Sequence, residues 1–251
     1  MASPTDTDRA VSGATIAQTP ININLPASPG LQNGDLAIVV LRIPANITTT
    51  WPSGWTNFLN DGTNTWHDID LDAADDRISV VARDCDGSEG TGQISITPSA
   101  SCKYAAIVYR IAGALPFSSQ SPDILSAIGN SANPDCPSET VTGGPKDILS
   151  LALDTHSGEQ TTTVTYPTNY TNTGQITTGT GGATATNCQI NYCSRQLTAV
   201  SSEDPSAFTI SGAQPWTALT ILIQEAAAAA PGSPIGAHTR RRIQSEASQV
   251  W

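Results

Sequence analysis

Asp68, Asp70, Asp72, Asp75 and Asp76 form the densest carboxylate cluster of the chain. Alternate acids resemble the opening of a calcium loop, because a hard cation gathers several oxygen ligands. The pattern then departs from such a loop. Ala73 stands where the sharp turn needs glycine, and Ser79 where a bidentate glutamate belongs. We read a solvated acidic loop and expect neither metal nor cofactor.

Other chemistry is sparse. His67, His156 and His238 are the histidines. His67 beside Asp68 could form an acid–base pair, but neighbours on an extended chain point apart. No Gly-x-Ser-x-Gly elbow, His-Glu-x-x-His pair or phosphate-cradling glycine loop occurs, and Gly181-Gly182 lacks a following lysine. With no nucleophile set beside a base, the sequence predicts a protein that is not an enzyme. The cysteines, Cys85, Cys102, Cys136, Cys188 and Cys193, lack Cys-x-x-Cys spacing, which argues against zinc and for reduced structural thiols. On one strand Cys188 and Cys193 would face opposite sides.

The residues expected to bind a partner lie near the C-terminus. Ala226–Ala230 and Pro231-Gly232-Ser233-Pro234 read as a linker, followed by Arg240, Arg241, Arg242 and Ile243, then Val250 and Trp251. Three arginines against Glu246 give this segment +2, so of the net −11 the remainder of the chain carries −13. Arginine forks pair with carboxylates at two points, which directs the segment to an acidic protein surface. Ile243, Val250 and Trp251 would be its apolar anchors.

Trp51 and Trp55, like Tyr166 and Tyr170, flank a proline-containing turn. Such pairs could stack on a sugar. Their recurrence favours a packing role, with the aromatics folded back over the end of a sandwich.

What must position these residues is a chain of short strands. Thr, Ser, Asn and Gly are abundant and charged residues make up only 13% of the 251 residues, which suits strands joined by polar turns. The acidic balance argues against nucleic acid as a partner. No apolar stretch is long enough to span a bilayer, and Met1–Asp6 lacks the features of a signal peptide, so folding in a cytoplasm is expected.

The body is written twice. Gly34-Asp35-Leu36 opening Leu36–Leu41 is answered by Lys146-Asp147-Ile148 opening Ile148–Leu153; Trp51–Asn57 is answered by Tyr166–Asn172. Ile94 and Ile96 match Phe208 and Ile210, and Ile107-Val108 match Ile221-Leu222, at offsets of 112 to 115 residues. What repeats is apolar spacing and turn chemistry, the property of a scaffold. The reading is an all-β, antiparallel, jelly-roll-like β-sandwich over residues 1–225, built of pseudo-repeated halves near 10–115 and 126–225, with about ten strands. Residues 226–251 are a linker and attachment tail. Leu36–Leu41 and Ile148–Leu153 should be central strands covered on both faces.

The order "GDLAIVVL", "WPSGWTN", "YAAIVYRI" and "PWTALTILI" resembles a β-sandwich domain of tailed-bacteriophage virion structural proteins. The resemblance covers roughly residues 10–225 and rests on Gly34-Asp35-Leu36, Pro52-Ser53-Gly54-Trp55-Thr56 and Trp216-Thr217-Ala218. It implies a virion or surface context. Three functions follow as expectations. The first is a capsid decoration or cement protein on the virion surface, partnered by other virion proteins, foremost the major capsid protein, and by its own copies as a homo-oligomer. The second is a tail-fibre or tail-tip adhesin for a host glycan. The third is a carbohydrate-binding module or glycan-active enzyme. The short chain without heptads favours decoration.

Overall fold

The computed structural model describes residues 3–43, 47–57, 67–69, 76–119, 123–158, 163–179 and 184–226. These form antiparallel β-strands, with no helix among them. The first part of the chain supplies β1 (Thr5–Gln18), β2 (Ile21–Asn24), β3 (Leu36–Ile43), β4 (Thr49–Thr50), β5 (Thr56–Asn57), β6 (His67–Ile69), β7 (Asp76–Asp84), β8 (Gln93–Pro98) and β9 (Cys102–Ala112). The second supplies β10 (Asp123–Ser131), β11 (Glu139–Thr140), β12 (Lys146–Gly158), β13 (Val164–Thr165), β14 (Thr171–Thr177), β15 (Thr184–Val200), β16 (Ser202–Glu203), β17 (Thr209–Ile210) and β18 (Gln214–Gln224).

Two main sheets stack face to face. One runs β1-β9-β3-β7-β5 with β6 beside β7; the other runs β10-β18-β12-β15-β14. In both, the first long strand of the half pairs with the last, and the apolar strand β3 or β12 takes the centre. The strands alternate faces, so each half contributes one row to a common core. Leu36, Ile38 and Val40 meet Leu149, Leu151 and Leu153 there, with Ile107 beside Val40 and Ile221 beside Leu151. The opposite rows are buried as well. Val39 and Leu41 lie under the small sheet β2-β8-β4, where Ile21, Ile23, Ile94 and Ile96 cover them. Ala152 and Ala218 lie under Phe208, Tyr170 and Trp216 beside the short pairs β13-β17 and β11-β16. A strand covered on both faces can be apolar without alternation, which explains the uninterrupted run Leu36–Leu41.

One equivalence expected from the sequence shifts. Gly34-Asp35-Leu36 and Lys146-Asp147-Ile148 set Leu36 against Ile148, yet it is Leu149 that shares the inner core with Leu36. Ile148 points outward, against Val141 and Leu222. Leu149 is therefore the packing counterpart of Leu36, one residue later than the turn chemistry sets it, and a one-residue offset in a strand exchanges its faces.

Side chains also join the halves. Ser3 Oγ donates to Asp147 Oδ2 (2.9 Å), Gln196 Nε2 to Pro4 O (2.9 Å), Ser194 Oγ to Asp6 Oδ2 (3.1 Å) and Lys103 Nζ to Asn187 Oδ1 (2.8 Å). Ser3, Pro4 and Asp6 lie at or just before the start of β1, which runs along β14 and β15 of the facing sheet.

Candidate functional site

The aromatic turns are built alike. Trp55 N donates to Pro52 O (3.4 Å) with Gly54 at φ 89°, and Tyr170 N donates to Pro167 O (3.3 Å) with Asn169 at φ 66°. A left-handed residue at the third turn position is what glycine and asparagine tolerate. An arginine–glutamate pair underlies each turn. Arg83 Nε is 2.8 Å from Glu89 Oε1, and Arg83 Nη1 donates to Ser53 O (3.3 Å). Arg195 Nη2 is 2.7 Å from Glu203 Oε2. Trp55 and Tyr170 are buried, and Trp51 packs 6.4 Å from Trp55, centroid to centroid. Tyr170 Oη donates to Glu203 Oε1 (2.9 Å) and lies 2.7 Å from Ser150 Oγ. Trp55 and Tyr170 belong to the core, and Trp51 and Tyr166 are half-buried against it.

A pocket of about 350 Å³ opens instead at the seam where β1 meets β14 and β15, lined by Asp6, Thr7, Asp8, Arg9, Val11, Asn172 and Tyr192. A register break between Asp6 and Asp8 gathers both acids there. The Asp6 side chain is 2% exposed; its Oδ2 takes the Ser194 hydrogen bond and sits 3.4 Å from Arg9 Nε, while its Oδ1 has no hydrogen-bond partner. Burial pushes the Asp6 carboxyl above its usual range, against the pull of Arg9 and Ser194 and with a smaller push from Asp8. Asp8 Oδ1 accepts from Arg9 N (2.8 Å). Arg9 itself lies 5.5 Å above the Tyr192 ring centroid and donates to Asn172 O. Gly174 leaves the room that Tyr192 occupies, since a Cβ there would fall 2.2 Å from Tyr192 Oη. Two carboxylates against one guanidinium leave an excess negative charge, suited to a cationic or hydroxyl-bearing group.

A second polar group is sealed in. Gln189 Nε2 donates to Asn191 Oδ1 (2.9 Å) and Asn191 Nδ2 to Asp154 Oδ2 (2.7 Å), and His156 Nδ1 is 3.3 Å from that same oxygen. All four residues have zero exposure, so in this conformation none meets a substrate. Residue types alone paired His67 with Asp68 and assigned His156 no partner. The two-residue period of β12 puts Asp154 and His156 on one face.

Arg240, Arg241, Arg242, Ile243, Val250 and Trp251 lie outside the described residues, as do Asp70, Asp72, Asp75 and His238. Asp68 and Asp76 fall on β6 and β7, and His67 begins β6. Among the described residues no three His, Cys, Asp or Glu side chains could hold a metal ion together. All five cysteines are buried, and none forms a disulfide. Cys188 faces the shared core and Cys193 the opposite side, as their spacing implies. Burial raises the Cys102 thiol to about 11 and, with help from Glu89 and Asp35, the Cys85 thiol to about 12.

No family model, curated protein or solved structure matches this chain.

Proposed function

We propose that this chain is a non-enzymatic structural protein of a tailed-phage virion, a capsid decoration protein. Its acidic body would lie on the particle surface, while the segment carrying Arg240, Arg241, Arg242, Ile243, Val250 and Trp251 straps it to the shell and to neighbouring copies.

One observation carries the structural part of this reading. The same packing device occurs in each main sheet: a turn with a left-handed third residue, a buried aromatic after it, and an arginine–glutamate pair beneath. A catalyst needs one unique constellation of mutually placed groups, whereas a duplicated scaffold repeats its packing. We take the matching strand orders as descendants of one duplicated unit. The virion context rests on the sequence resemblance, and the charge of −13 on the body suits a crowded surface protein that must stay soluble.

Imaging of the native particle tests the assignment. Density for the body at regular positions on the head would support it. Density confined to the tail tip, with glycan binding by purified protein, would replace it with the adhesin reading.

A further inference from the structure

The pocket at the β1 seam is lined by more acidic than basic side chains. Asp6 Oδ1 is buried without a partner, and Asp6 and Asp8 outnumber Arg9. Beside them Val11, 45% exposed, offers an apolar contact. The C-terminal segment emerges close by. Ala226 N donates to Gly113 O (2.9 Å), and Gly113 follows Ala112, the partner of Thr5, while Ile111 pairs with Asp6. Two residues along one strand and two hydrogen-bonded steps across amount to roughly 10–15 Å.

From this geometry we infer that the pocket is the resting site of the chain's own arginine-bearing segment, with an Arg240–Arg242 guanidinium beside Asp6 and Asp8 and Ile243 against Val11. The fourteen steps from Ala226 to Arg240 reach up to about 46 Å when extended, far more than needed. Such a tether holds the segment near its own pocket at roughly millimolar effective concentration, which favours it over the tail of a second copy in dilute solution. A charge pair at a partly open site is weak enough to release. The segment would thus be stored on its own body and freed when a more extensive acidic surface competes. This inference draws on the strap reading for its purpose, not for its geometry.

Trypsin supplies the test, because Arg240–Arg242 are its own cleavage sites. The full-length protein is digested briefly at low salt, and loss of the C-terminal residues is followed by mass. Cleavage in the wild type should be about fivefold slower than in Asp8→Asn, the scale of one near-surface charge pair. High salt should erase the difference. Asp204→Asn removes the same charge at an exposed position elsewhere and should leave the rate unchanged. Melting curves of all variants exclude misfolding as the cause. Equal rates in wild type and Asp8→Asn, or an equal effect of Asp204→Asn, would overturn the inference. So would protection that grows with protein concentration, since it would place the segment on a second copy. None of these outcomes bears on particle attachment, which is measured separately.

Discussion

The guanidinium of Arg195 lies 5.1 Å from the centroid of the Tyr170 ring. It also reaches Glu203, whose side chain is 4% exposed and whose other oxygen takes the Tyr170 hydroxyl hydrogen bond. Ring, cation and anion form one closed unit under the second aromatic turn. Arg195→Ala would leave a buried carboxylate with only the phenol as partner, at a cost of roughly 1–3 kcal/mol. Denaturant unfolding measures it, and Arg195→Lys should recover only part, since an ammonium cannot stack as guanidinium does. A loss below about 0.5 kcal/mol would show that the unit is incidental.

Much of this architecture was legible in the sequence. The runs Leu36–Leu41 and Ile148–Leu153 read as central strands because burial on both faces leaves a continuous apolar signal. The aromatic turns read as packing devices because their chemistry recurs. The edge strands did not show. β1, β10 and β14 are half solvated, and stretches such as Thr5–Arg9 or Thr171–Gln175 are too polar for any apolar period. The Asp6 pocket was missed for the same reason, and because Asp6 and Tyr192 are brought together only by stacking the sheets. No local pattern encodes that contact. The one-residue shift at Ile148 did not show because Ile148 and Leu149 are both apolar, and residue type alone does not say which of them faces the core.

The halves share one inner core, so the body should melt as a unit. Leu151→Ala, in the shared core, should cost about 2–4 kcal/mol. Val39→Ala opens the outer core of the first half. Calorimetry should find each variant unfolding in a single transition at lower temperature. Two separated transitions would mean that the halves are independent domains.

Asp6 should leave a signature in pH. Its carboxyl titrates above the free value of 3.8, so the fold favours the protonated form. The associated stability is full below that value and lost as pH rises through the folded pKa. Asp6→Asn removes this loss. Its melting temperature relative to wild type should therefore be higher at pH 7 than at pH 3.5. A relative advantage that grows toward acid would contradict the raised pKa, and with it the picture of an uncompensated buried charge.

Attachment through the C-terminal segment is read out by occupancy on particles. Particles assembled with the chain truncated after Glu225 are compared with wild type by quantitative mass spectrometry of purified virions, alongside a full-length chain with Arg240, Arg241 and Arg242 changed to Ser. The truncated protein should melt like the wild type yet be lost from the particle. Occupancy of the arginine variant should be reduced, with weaker dependence on salt in what remains. Truncated protein present at wild-type occupancy would contradict attachment through this segment and move the attachment surface onto the sandwich itself.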